Sequence, residues 1–118
     1  MERSHDVVVI GGGPVGGNTA RLIAQEGYNT LLVEEHKHIG MPPHCAGLIT
    51  PRVFDMLDLS KQYSIQNIVY GANIHPPKGK MLTIEGNKKQ ACVIDRILFD
   101  KKIIESAKKT RDRNLIRT

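Results

Sequence analysis

The stretch Asp6-Val7-Val8-Val9-Ile10-Gly11-Gly12-Gly13-Pro14-Val15-Gly16 decides the fold. A short run of buried-strand character leads straight into glycines, and a helical pattern follows. The spacing Gly11-x-Gly13-x-x-Gly16 is the dinucleotide fingerprint in its required context of strand, tight turn and helix. Gly11 lets the chain turn off the strand. Gly13 carries no Cβ, so a pyrophosphate can approach the backbone, and Gly16 allows close packing of helix on strand. The helix start then offers N–H groups and a positive dipole end to phosphate.

A second strand-like run, Thr30-Leu31-Leu32-Val33, ends at Glu34. That acid stands roughly 20 residues beyond the glycines, where a ribose-binding carboxylate belongs. It would accept hydrogen bonds from ribose hydroxyls and repel a 2′-phosphate, which favours FAD or NAD over NADP. The alternative is a glycine-rich turn in some other α/β protein, with Glu34 a solvated strand end.

Composition sets the outer bounds. The 118 residues suit one small domain, and 40% hydrophobic with 25% charged residues is ordinary for a globular chain. Aromatic residues are 4% and Trp is absent, so the expected core is aliphatic. No apolar run is long enough to span a membrane. The first residues show no apolar targeting region, and a cytoplasmic location is expected. Cys45 and Cys92 are too few for a disulfide framework. The net charge is +5, with Lys101, Lys102, Lys108, Lys109, Arg111, Arg113 and Arg117 concentrated near the end. No aromatic residues interleave them, so a solvated helix face is favoured over nucleic-acid binding.

The first strand is expected over Asp6 to Ile10. A helix should follow from Pro14 to about Glu26, with Ala20, Leu22, Ile23 and Ala24 inward and Arg21, Gln25 and Glu26 outward. Gly27 stops it and the second strand runs to Glu34, completing a parallel β-α-β unit. His36 to Thr50 reads as loop, and a short helix follows from Pro51 to Leu57 with Thr50 as its cap. Strand-like runs at Ile68–Ile74, Lys80–Glu85 and Gln90–Ile94 suggest a small antiparallel insertion over 65–95. A last helix runs from about Arg96 to Lys109 with Ile97, Leu98, Ile103, Ile104 and Ala107 as its apolar face. Thr110 to Thr118 shows no clear pattern. The fold class is therefore α/β: a Rossmann-like βαβ unit carrying a small antiparallel β insertion.

These residues resemble the start of FAD-dependent oxidoreductases of the para-hydroxybenzoate-hydroxylase type. Ile39-Gly40-Met41-Pro42-Pro43-His44-Cys45-Ala46-Gly47 narrows the resemblance to the geranylgeranyl reductase family, with its Pro-x-x-Cys-(Ala/Gly)-Gly motif. Asp95-Arg96-Ile97-Leu98-Phe99-Asp100 is similar to that family's Asp-Arg-x-x-Phe-Asp segment. Together the motifs cover Asp6 to Asp100. The glycine motif is shared by many flavoproteins; the cysteine and Asp-Arg motifs carry the family resemblance.

The resemblance implies FAD as cofactor. Gly11, Gly13, Pro14, Val15 and Gly16 would hold its pyrophosphate, with Glu34 and Glu35 at the adenosine ribose. Cys45, Ala46 and Gly47 would line the flavin or substrate side, with Cys45 a candidate catalytic thiol, and Arg96 would touch the FAD. The implied reaction is hydride delivery from reduced flavin to an isoprenoid double bond of a lipid. Its partners would be a lipid substrate, an electron donor such as ferredoxin or NAD(P)H, and a membrane surface met peripherally. Read without the resemblance, Cys45 is an inert filler and Arg96 a helix-start arginine paired with Asp95 or Asp100. His36, His38, His44 and Cys45 fit no zinc spacing, so no metal is expected. Cys92, alternating within a strand, is expected in the core.

The family's later Gly-Asp motif and lipid-enclosing sheet domain are not found in this sequence. The expectation is an N-terminal fragment with two parallel strands, one uncovered edge, an incomplete pocket and no turnover of its own. Two other readings stay open. One is a related aromatic monooxygenase or halogenase. The other is a non-catalytic nucleotide-binding remnant that needs a partner chain.

Overall fold

The computed structural model describes residues 4–59, 64–110 and 116–117, and these divide into two units. The first comprises the residues up to His44 together with those from Arg96 onward; the second runs from Cys45 to Asp95.

The first unit is the Rossmann-like part. Strand β1 (Val7–Ile10) leads to helix α1 (Pro14–Gln25) and strand β2 (Thr30–Val33). β1 and β2 pair in parallel, Val7 with Thr30 through Ile10 with Val33. Asp6 ties the start of this pair, its carboxylate accepting the Asn29 N–H at 2.7 Å. The other elements of this unit are a long helix over Arg96–Thr110 and a short strand at Ile116–Arg117. That strand joins the sheet in parallel beside β2. The order, with β2 between β1 and the last strand, is one half of a doubly wound sheet.

This corrects two expectations. The sheet is not limited to two strands, and the segment after Thr110 is not without structure, since Ile116 and Arg117 extend the sheet. Two residues carry no periodicity of their own; the exposed polar groups of the β2 edge recruit them. Arg111 and Arg113 lie outside the described residues.

The core of this unit joins Ala20 and Ala24 of α1, Leu32 of β2, and Ile104 and Ala107 of the long helix, with Val9 and Ile39 against them. Small residues on α1 let the two helices approach. A Cβ on Gly17 would stand 2.9 Å from Ile103 Cγ2. This approach sets the helix phase, and it differs from the expected one. Gly17, Ala20, Arg21 and Ala24 form the buried stripe, while Leu22 is exposed. Arg21 is only 7% exposed, and its Nε and Nη2 donate to Asn18 Oδ1 at 3.1 and 2.8 Å. On the long helix Phe99 and Asp100 turn inward with Ile103, Ile104 and Ala107, whereas Leu98 is exposed. The pleat puts Val8 and Ile10 on the opposite side of β1 from Val9, and Ile10 is 85% exposed.

In the second unit, strand β3 (Leu48–Ile49) precedes helix α2 (Arg52–Leu57) and strands β4 (Ile65–Val69), β5 (Ala72–Ile74), β6 (Leu82–Ile84) and β7 (Ala91–Ile94). The long helix of the first unit is then α3 (Arg96–Thr110), and the added strand is β8 (Ile116–Arg117). β7 is central, antiparallel to β3 on one side and to β4 on the other, with a bulge between Ile65 and Asn67. Phe54, Leu57, Cys92 and Ile94 are its buried apolar residues, so Cys92 lies in the core.

The expected strand over Ile68–Ile74 is two strands in two sheets. It breaks at Tyr70-Gly71, and β5 pairs only with β6, Ala72 opposite Ile84 and Ile74 opposite Leu82. Gly71 is where the chain changes partner; a Cβ there would overlap the Ile84 carbonyl oxygen. β3 falls inside the expected loop. α2 begins at Arg52 after Pro51 with no side-chain cap, so Thr50 does not cap it by its hydroxyl. Among the described residues, no helix is long and apolar enough to cross a membrane.

Candidate functional site

The glycine turn is built at the end of β1. Gly11 has φ +102°, a conformation other residues rarely adopt, and its N–H donates to Val33 O at 2.7 Å. The chain then passes through buried Gly12 to Gly13, which caps α1 with extended backbone angles (φ −72°, ψ −176°). The first helical bond runs from Gly17 N–H to Gly13 O at 2.8 Å. The amides of Val15 and Gly16 stand ahead of it, no side chain caps the helix, and its first turn holds no acid. This helix start is therefore a bare cluster of positive partial charge.

The three glycines differ in what excludes a side chain. A Cβ on Gly13 would meet no protein atom within 4 Å, so the space over it is open. A Cβ on Gly16 would overlap the Gly11 carbonyl oxygen, and one on Gly12 would stand 2.9 Å from Glu34 Oε2. Gly13 leaves room outward, whereas Gly16 and Gly12 are required by the protein itself.

Glu34 sits just past β2 with its side chain 11% exposed. Its Oε2 accepts the Gly12 N–H at 2.5 Å. Its Oε1 accepts the His36 N–H at 2.9 Å and faces His36 Nδ1 at 2.6 Å. Three of the four acceptor directions of the carboxylate are thus used by these donors. The His36 backbone N–H, then the Gly12 backbone N–H, hold its carboxyl below the ordinary carboxylate range. Burial opposes this more weakly, and the His36 ring adds to the lowering. Because the folded value is depressed, the stability contributed by Glu34 is complete above the unfolded glutamate pKa. It is lost as pH falls through the folded value. Acid titration followed by circular dichroism should show Glu34→Gln losing less stability than wild type from the ordinary carboxylate range downward. Parallel curves would contradict the assignment.

Glu35 is exposed, 3.9 Å from His36 Nδ1. Arg96 opens α3 and forms a two-pronged pair with buried Asp100, Nε to Oδ1 at 2.9 Å and Nη2 to Oδ2 at 3.1 Å. The spacing of four residues brings the two together on one helix face. Cys45, Ala46 and Gly47 belong to the second unit. Cys45 is exposed and its Sγ accepts the Gly47 N–H at 3.4 Å. Gly47 has φ +75° and is buried against β7, its carbonyl accepting the Ile94 N–H at 2.9 Å. Among the described residues, no group of three His, Cys, Asp or Glu could hold a metal ion.

Sequence reasoning missed two residues of this site. Gly12 was an unassigned position of the fingerprint, although a third consecutive glycine was the available signal. His36 stands two residues from the acid it contacts, but the sequence offers no sign of that contact beyond this nearness. The open space over Gly13, the bare helix start and the ionised, largely buried Glu34 together fit a dinucleotide's pyrophosphate and ribose.

Comparison with known proteins gives the family. The chain is 38% identical over 110 residues to the digeranylgeranylglycerophospholipid reductase of Methanococcus vannielii, covering 92% of this chain and 28% of that protein. It superposes on a geranylgeranyl bacteriochlorophyll reductase-like protein from Thermoplasma acidophilum with a TM-score of 0.82 at 31% identity, covering 92% of this chain and 28% of that one. The myxobacterial chondrochloren halogenase, an FAD-dependent halogenase, shares the fold with a TM-score of 0.71 at 23% identity, over 96% and 28% of the two chains. The chain thus spans little more than a quarter of the length of each of these proteins. The profile of the FAD dependent oxidoreductase family matches residues 6–95. The chain belongs to the FAD-dependent oxidoreductase family.

Proposed function

We propose that this chain supplies the FAD-binding part of a reductase that saturates isoprenoid double bonds of lipids. The observation that carries the reading is the ionised Glu34 carboxylate fixed on the Gly12 amide, beside a glycine turn with open space over Gly13. In this reading Gly11, Gly13, Pro14, Val15 and Gly16 cradle the pyrophosphate: Gly13, Val15 and Gly16 offer backbone amides, Gly11 shapes the turn with its own N–H held by Val33 O, and Pro14, which lacks an N–H, presets the helix angle. Glu34 accepts a ribose hydroxyl, with Glu35 at the rim.

Arg96, braced by Asp100, keeps its cationic head near the cofactor. In this reading Cys45, Ala46 and Gly47 line the flavin or substrate side. Cys45 is the residue of this loop with chemistry to offer, a thiol that can hold a proton at Sγ. When bound and reduced by the electron donor, the flavin would supply the hydride for one alkene carbon, with a proton added to the other and oxidised FAD left behind. The electron donor in this reading is ferredoxin or NAD(P)H, and the lipid substrate brings the protein to a membrane surface.

The fold does not choose the reaction, since a halogenase shares it. The Cys45-Ala46-Gly47 motif and the similarity to a lipid reductase favour saturation of a double bond.

The test is FAD titration of the purified chain by flavin fluorescence, with NAD as competitor. Saturable binding is expected, weakened about 10- to 100-fold by Glu34→Ala as charge-assisted hydrogen bonds are lost. No saturable binding, or equal binding by Glu34→Ala, would overturn the reading.

A further inference from the structure

We propose that His36 is a positioning residue for the ribose-binding carboxylate, acting through its ring Nδ1; this rests on the FAD-binding reading above. Glu34 lies just beyond the last residue of β2, so the sheet fixes its backbone but not its rotamer. Three donors do that. The Gly12 N–H holds Oε2 from the glycine turn, and the His36 N–H and ring Nδ1 hold Oε1 from the chain that follows. Neither backbone donor needs a side chain of its own, although position 12 must be glycine to leave room for the carboxylate. Only the third depends on a side chain, and at 2.6 Å it is as short as a charge-assisted hydrogen bond.

Nδ1 faces a carboxylate, so the ring places its proton on that nitrogen and donates. With both carboxylate oxygens anchored, the remaining acceptor direction lies on Oε2, the oxygen held at the glycine turn. The ring is 45% exposed, which is unusual for a residue kept for packing. Glu35 Oε1, 3.9 Å from the same nitrogen, is beyond hydrogen-bond reach. The clamp therefore acts on Glu34 and not on its neighbour.

The geometry makes a prediction that a general structural role would not. An asparagine side chain places an amide N–H close to where Nδ1 stands, whereas glutamine places it one bond further out. FAD affinity of the full chain should fall about five-fold in His36→Ala, the effect of one lost hydrogen bond. It should return to near wild type in His36→Asn and stay low in His36→Gln. Melting temperatures, read alongside, should fall slightly and alike in His36→Ala and His36→Gln, so stability does not account for the difference between His36→Asn and His36→Gln.

Glu34→Ala is measured in the same series. If it binds FAD as wild type does, the cofactor assignment itself fails. If Glu34→Ala weakens binding while His36→Ala does not, or if the three His36 variants lose affinity equally, the positioning role fails.

Discussion

Gly13→Val is expected to abolish FAD binding, by more than about 100-fold, while leaving the chain folded. The two halves of this expectation come from different observations. Gly13 has φ −72° and ψ −176°, which valine adopts without strain, and its added Cβ would meet no protein atom within 4 Å. The cost to the fold is confined to a poorer helix cap, about 1 kcal/mol or less. The same Cβ and its methyl groups would fill the space in front of the helix start, where a pyrophosphate must reach backbone amides. Fluorescence titration beside a thermal melt separates the two effects. A variant that still binds FAD within a few-fold of wild type would mean that the phosphate does not approach the turn there.

Gly16→Ala should behave in the opposite way. Its Cβ would overlap the Gly11 carbonyl oxygen, a backbone atom on the tightest part of the turn. Gly11 already has a positive φ, so the turn has little room to yield. Alanine would favour the helix by up to about 1 kcal/mol over glycine. Overpacking against backbone outweighs that gain, and a net loss of about 2 kcal/mol or more is expected. Melting temperature and FAD affinity should fall together, since the displaced turn carries the amides of the site. An alanine variant that melts as wild type does would show that helix and strand can separate at this point without cost. The pair of variants thus distinguishes a glycine kept clear for a ligand from one required by the fold.

Much of the site could be read from the chain because it is local. The turn, the helix start and the acid after β2 all follow from the sequence between Asp6 and Glu34, and each is held by backbone chemistry that glycine, proline or a strand end dictates. Arg96 paired with Asp100 was legible for the same reason, being one helical turn apart. Gly12 and His36 were not. Their roles depend on where the Glu34 side chain settles, and that is decided by donors from two separate segments.

The helix faces were right at Ala20, Ala24, Ile103, Ile104 and Ala107 but wrong at Arg21, Leu22 and Leu98, for a related reason. Arg21 is inside and Leu22 outside because α1 meets α3 through Gly17, Ala20 and Ala24. Hydrophobicity alone places leucine inward, but the close approach of two helices selects small residues first.

The sequence by itself determined the βαβ unit, the glycine turn and the acid that faces it. Glycine spacing and strand-to-helix periodicity act within a few residues and need no distant partner. Only the tertiary structure decided that β8 joins the sheet, that Ile68–Ile74 divides between two sheets at Gly71, and which donors clamp Glu34. Those outcomes rest on which backbone edge is unpaired and which donor stands close to a carboxylate. Such facts exist only once the segments have settled against one another.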